Sequence, residues 1–209
     1  MLYLLNKKGS MFGLDARIAL AIFGALSVIS GASLYFAIQE SKAVSLLAQM
    51  NEVGKAWEQY YLDTGENLPK YGSDNSKKDF YELLTSNLVK DKGVNNWKGP
   101  YLPYKANDSY DHVLDHSIYR YIIIRTLSYD DSWGGALGPW DINNTCLSGK
   151  NCSLDVMIDG QTDDSLANII DLKVDSGDGA SDGNFRWWLS GDSYYRYHLN
   201  YASIKNPND

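Results

Sequence analysis

Cysteine, histidine and proline are scarce in this 209-residue chain, which has two, three and five of them. Two cysteines exclude a disulfide-dense scaffold. They also exclude a Cys-rich zinc site, because no further Cys or His lies near Cys146 and Cys152 to complete four ligands. No proline precedes Pro69, so no proline interrupts a helix in the first third of the chain. Positive charge is short as well: 19 Lys and Arg against 26 Asp and Glu give a net charge of −7. That balance argues against a general nucleic-acid role, which wants a basic face. No glycine-rich phosphate loop is present, no serine sits in a nucleophile-elbow context, and no internal repeat is visible.

What the chain does have is an uncharged run, Ile18 to Ile38, reading IALAIFGALSVISGASLYFAI. A helix needs about 20 apolar residues to cross a bilayer core, and this run has that length. Lys7, Lys8 and Arg17 lie on its N-terminal side, so that end is expected to stay cytoplasmic. The rest is then expected on the far side, which in a bacterium with two membranes is the periplasm. A secretory signal has its small residues after the apolar region. Here Gly9 and Ser10 come before it, so a cut there removes a basic leader and keeps the helix.

The pattern continues beyond the run. Ala43, Leu46, Leu47, Met50, Val53, Trp57, Tyr60 and Tyr61 recur at three-four spacing, with Lys42, Gln49, Glu52, Lys55 and Glu58 opposite. One helix is predicted from Leu14 to Asp63, about 75 Å at roughly 1.5 Å per residue, stopped by Thr64-Gly65. A short helix is predicted over 77–88. Strands are predicted over 119–127, 154–158, 184–189 and 194–200, the last two joined by a hairpin turn at 190–193. A second short helix is predicted over 163–173. The fold class is α+β: a long helix across an antiparallel sheet of about four strands. The tail IKNPND is expected to be loose.

The N-terminal segment resembles the type IV pilin-like superfamily, which includes type IV pilins and the pseudopilins of type II secretion. With Met11 as the first mature residue, MFGLDARIALAIFGAL matches the family segment position by position. Asp15 falls on the family's fifth-residue Glu, and Gly24 and Leu26 fall on its Gly and Leu. The chain departs from the pattern in having Ser10, not Gly, before the cut, Asp rather than Glu, and no proline some twenty residues in. A cut between Gly9 and Ser10 is the alternative. NNWKGPYLPY, with Trp97, Gly99, Pro100 and Tyr101, resembles a segment that leads from helix to sheet in major pseudopilins.

The resemblance divides the chain into a leader (1–10), a transmembrane and assembly helix (11–38) and a globular domain (39–209) in the periplasm or a surface filament. It implies a structural subunit without catalysis of its own. The subunit is processed by a prepilin peptidase, methylated at its new terminus, and polymerised with itself and other pilin-like subunits. An assembly ATPase and an inner-membrane platform protein are the further partners implied. Asp15 is then expected to meet the α-amino group of a neighbouring subunit, since a carboxylate at a membrane helix end needs a partner. A plain signal anchor carrying a periplasmic binding or adhesion domain that never polymerises is the alternative. Pilus and pseudopilus, and major and minor subunit, stay open.

The remaining candidates are local. Cys146 and Cys152 bracket a short polar loop and are expected to form a disulfide in an oxidising compartment. The stretch from Asp171 to Gly183 is rich in Asp and Gly; Asp175, Asp178 and Asp182 are the candidate ligands of Ca²⁺, a hard cation that takes oxygen donors. Its spacing is not that of an EF-hand. Major pseudopilins bind calcium in their C-terminal region, so the resemblance implies the same ion. His112 and His116 read as surface residues and His198 as packing. Trp133, Trp140, Trp187 and Trp188 read as core and inter-subunit contacts, with a carbohydrate- or protein-binding platform as the alternative.

Overall fold

In the computed structural model residues 8–72, 82–128 and 146–209 are described, with side chains from residue 13. The first element, α1, is one uninterrupted helix, Lys8–Thr64. It starts earlier than predicted and stops at the predicted place, where the Gly65 N–H donates to Tyr61 O at 2.8 Å. The chain divides into two units between Lys42 and Ala43. In the first, every side chain from residue 13 to residue 38 is exposed. Leu20, Phe23 and Val28 each show more than 70% of their surface (75%, 72% and 74%). This helix is long and apolar enough to cross a membrane.

In the second unit α1 is one-sided. Ala43, Leu46, Met50, Val53, Trp57 and Tyr60 are buried, the stripe that three-four spacing dictates. Leu47 is half-buried and Tyr61 exposed, so the stripe is narrower than predicted. Its partner is one face of an antiparallel sheet. The strands are β1 (Lys105–Ala106), β2 (Val113–Asp115), β3 (Tyr121–Ser128), β4 (Cys152–Gln161), β5 (Phe185–Leu189) and β6 (Tyr195–Ile204). Among the described residues their order is β1-β2-β3-β4-β6-β5. The sheet therefore has six strands, not about four. The two extra strands are only two and three residues long and flank turn-forming Asn107, Asp108 and Ser109, so no alternating pattern announces them. Helix α2 (Ser165–Val174) connects β4 to β5 and buries Leu166, Ala167, Ile170 and Asp171.

Strand alternation sorts the central residues into two faces. Ile122, Ile124, Leu154, Val156, Ile158, Tyr197 and Leu199 join the α1 stripe in one core. The opposite face carries Ile123 and Arg125 on β3, Asp155, Met157 and Asp159 on β4, and Arg196 and His198 on β6, matched strand to strand.

Of the predicted helix over 77–88, the described residues 82–88 form no α-helix. Residues 73–81 lie outside the described set, and Glu82 and Leu83 make bridges to Arg125 and Lys70. The Leu83 N–H donates to Ile124 O at 2.9 Å and the Leu84 N–H to Pro69 O at 2.8 Å. Tertiary carbonyls thus take the donors a helix would have used, and only a 3-10 turn, Thr85–Leu88, remains. The WKGPY segment packs on the end of α1. Tyr101 meets Tyr60 edge-on at 5.9 Å, and Lys98 Nζ reaches Asp63 Oδ1 at 3.0 Å.

The tail is not loose. Asn206 Nδ2 donates to Leu147 O (2.8 Å) and Lys150 O (2.9 Å), and Lys70 Nζ donates to Asn208 Oδ1 (2.7 Å). Two Asn side chains at i and i+2 supply the backbone partners that the short 146–152 loop lacks.

The tightest seam between helix and sheet is at Gly54, where an added Cβ would fall within the ring of Tyr201. Overpacking of this kind costs about 1–3 kcal/mol, against a helix-propensity gain for Ala of about 1 kcal/mol. With the Tyr201 ring atoms that close the cost outweighs the gain, so Gly54→Ala is expected to lower the thermal unfolding midpoint, by up to about 2 kcal/mol of stability. An unchanged or raised midpoint would show that the seam is loose.

Candidate functional site

Two places carry the sequence-level candidates. The first is the start of α1. Gly9, Ser10 and Met11 lie on its backbone, but their side chains fall outside the described set. Asp15 is exposed, one turn before the uncharged run. Between Asp15 and Glu40 the only charged residue is Arg17. After Arg17 the helix carries no charge until Glu40, about six turns on at 3.6 residues per turn.

The second is the turn from α2 to β5. Asp171 in the last turn of α2, Asp175 at its C-cap and Asp178 place a carboxylate oxygen each within 4.8 Å of one another. Asp182 is exposed and outside this group. The loop is built around the carboxylates. Asp175 Oδ2 accepts from the backbone N–H groups of Asn184 (2.9 Å) and Phe185 (2.6 Å), which fixes the start of β5. Asp171 Oδ2 accepts from the Gly179 N–H at 3.0 Å. A Cβ at Gly183 would strike the carboxylates of both Asp175 and Asp178. Ser176, Gly177, Gly179 and Gly183 all have positive φ, the region a tight cradle needs.

Asp171 is the odd member. It is 97% buried, since only 3% of its surface is exposed, and its Oδ1 has no hydrogen-bond partner. Burial, with Asp178 and Asp175 beside it, pushes its carboxyl above the usual carboxylate range. An orphaned buried oxygen beside two more carboxylates fits a hard, oxygen-seeking cation. The sequence places Asp171 at the start of the candidate loop, but its burial on the inner face of α2 is hidden in an apolar helix pattern.

Other sequence candidates have structural places. Cys146 and Cys152 form a disulfide with Cα atoms 5.5 Å apart. Trp187 and Trp188 are buried, which removes them from any surface platform; Trp133 and Trp140 lie outside the described residues. His112 and His116 are not surface residues. His116 is buried, with Nε2 2.7 Å from Gln49 Oε1 on α1, and burial pushes its pKa down. His112 Nε2 lies 3.2 Å from Glu82 Oε2.

The second face of the sheet holds buried ion pairs that sequence reading missed. Arg125 Nη2 donates to Glu82 Oε1 at 3.0 Å with both side chains buried. His198 Nδ1 is 2.7 Å from Asp155 Oδ1, both without exposure; burial pushes the imidazole pKa down while Asp155 opposes it. Arg120 Nη1 reaches Asp192 Oδ2 at 2.7 Å. Burial opposes this pair, yet the Arg120 hydrogen bond and Arg196 hold the Asp192 carboxyl down at about 2. The signal was present in LDVMID, where Asp155 and Asp159 alternate with Leu154, Val156 and Ile158.

No family model matches the chain, and no curated protein or solved structure matches it either.

The Asp171 carboxyl holds its proton to higher pH in the folded state than the unfolded value near 3.8. Its contribution to stability is therefore greatest below that value and is lost as pH rises through the folded pKa. In a chelator at neutral pH the ionised side chain is a liability, of about 1–2 kcal/mol for an unsatisfied buried oxygen. Asp171→Asn keeps the acceptor for Gly179 and turns an amide donor toward the other carboxylates. It is expected to melt higher than wild type in EDTA at pH 7. A lower midpoint would mean that the carboxylate already has its partner.

Proposed function

We propose that this chain is a structural subunit of a type IV pilus-like filament or a type II secretion pseudopilus. It is inserted in the bacterial inner membrane by α1 and cut by a prepilin peptidase on the cytoplasmic side. The observation that carries this reading is the first part of α1: residues 13–38 are all exposed, uncharged from Ile18 onward, and preceded by one acid, Asp15. Such a surface has two stable settings, lipid and copies of itself. Lipid covers it before assembly and neighbouring helices cover it after. Asp15 and a neighbour's new α-amino group then neutralise each other where neither is well solvated. The platform protein and its ATPase supply the work of extraction, and the subunit performs no chemistry itself.

Calcium belongs to the same proposal. Asp171, Asp175 and Asp178 would hold it, and the ion would lock the turn that starts β5. Addition of Ca²⁺ is then expected to raise the wild-type melting temperature above that of Asp171→Asn, reversing their order in EDTA. At a hundredfold excess over Kd the gain is about 2.7 kcal/mol. Mg²⁺ substitutes poorly, because it demands tighter octahedral geometry.

Mass spectrometry of the N-terminal peptide from native membranes tests the filament reading. The expected terminus is N-methylated Met11, or Ser10 if the cut follows Gly9. Recovery of Met1 or Leu2 as the terminus of the mature protein would replace the filament by an anchored binding or adhesion domain.

A further inference from the structure

The sheet face opposite the α1 stripe carries a pocket that plays no part in the assembly proposed above. It has a volume of about 290 Å³ and lies wholly within the second unit. Its floor is apolar: Val113 on β2, Ile123 on β3 and Met157 on β4, neighbours in register across three strands. Its rim is aromatic: Tyr71 and Tyr110 are 38% and 51% exposed, and Tyr121 is half-buried. Tyr71 stacks on His112 at 4.1 Å, which fixes one lip.

The walls carry charge of both signs. Arg120, Arg125 and Arg196 line the pocket with Glu82 and Asp159, and Asp192, outside the lining, pairs with two of the arginines. Asp192 spans Arg120 and Arg196 at 2.7 and 3.3 Å. His112 faces Glu82, which also holds Arg125. Each of the three arginines thus already faces a carboxylate, so none calls for a free anion. Hydrogen-bonding capacity of both senses is nevertheless concentrated at one spot.

Asp159 marks that spot. It is 97% buried by the same measure, with 3% exposure, and its Oδ1 has no hydrogen-bond partner. Arg196 Nε stands 3.5 Å from that oxygen and Arg120 Nη1 3.8 Å from Oδ2. Those distances give attraction between charges but are too long for good hydrogen bonds. A buried acceptor left so is costly, and a donor reaching in from the pocket would satisfy it. A hydroxyl does this best, since it donates to the carboxylate and accepts from the guanidinium beside it. An apolar floor, tyrosine rings at the rim and few, placed polar groups are what a small neutral ligand needs.

We propose that this pocket, where buried Asp159 faces Arg120 and Arg196 and exposed Tyr110 joins the lining, binds one neutral sugar ring of a glycan. The site does not depend on how or whether the chain polymerises. Two ring hydroxyls engage Asp159 and the flanking arginines, and the carbon face of the ring lies on tyrosine.

Saturation-transfer NMR on the full chain tests this, in a detergent with an ethylene-oxide headgroup so that no sugar is present. The probes are D-glucose, D-galactose, D-mannose and N-acetyl-D-glucosamine, with N-acetylneuraminic acid and inorganic phosphate as anionic comparisons. At least one of the four neutral sugars is expected to saturate in the millimolar range. Asp159→Asn and Tyr110→Ala are each expected to weaken it about tenfold or more. Tyr110 is exposed, so its variant keeps the wild-type melting temperature and decides the matter if Asp159→Asn fails to fold. Three results would overturn the proposal: no saturation by any of the four below about 50 mM, binding that Tyr110→Ala leaves unchanged, or binding of only the anionic probes.

Discussion

A single helix has to satisfy two different surroundings, and most of what this chain does follows from that. Residues 13–38 of α1 have no apolar partner among the described residues and are exposed throughout. From Ala43 onward the same helix buries one stripe in the core of the second unit. Each fully buried side chain there, such as Leu46 or Met50, stabilises by about 1.5–3 kcal/mol. The exposed part contributes nothing of that kind in water. It is a standing cost in water, of the kind that lipid or other apolar helices relieve.

The sheet works under the opposite condition. One face is a conventional apolar core with α1. The other is removed from water yet carries charge: Arg125 with Glu82, His198 with Asp155, and Arg196 near Asp159. Taking such groups out of water costs several kcal/mol per ion, on the order of what pairing returns. These pairs therefore add little net stability but punish the loss of either partner. They fix strand register instead, because Arg125 opposes Asp155 and Asp159 opposes Arg196 only in the observed pairing.

Long periodic patterns were legible in the sequence and short or tertiary-driven features were not. The stop at Thr64-Gly65, the strand around Ile122–Ile124, helix α2 and the β5–β6 hairpin all follow from apolar spacing and turn residues. Strands β1 and β2 are too short to show a period. Residues 82–84 have an apolar helical pattern but lose it to carbonyls of Ile124 and Pro69, which no local rule reveals. The burial of Asp171 and Asp159 was not legible, because it depends on what packs over them. The Cys146–Cys152 bridge was readable from spacing, but its docking onto Asn206 and Asn208 was not, since those residues lie some 60 positions away in the chain.

The central claim is that the exposed apolar part of α1 is an assembly surface and that Asp15 is its one polar contact. The direct measurement is the yield of sheared filaments relative to total membrane-inserted protein, for wild type and Asp15→Ala. Removing a charge from an apolar helix should leave insertion intact. It should lower filament yield about tenfold or more, because the neighbour's α-amino group is left buried without its partner. Wild-type filament yield from the alanine variant would contradict the account and reduce Asp15 to a charge at the level of the lipid headgroups.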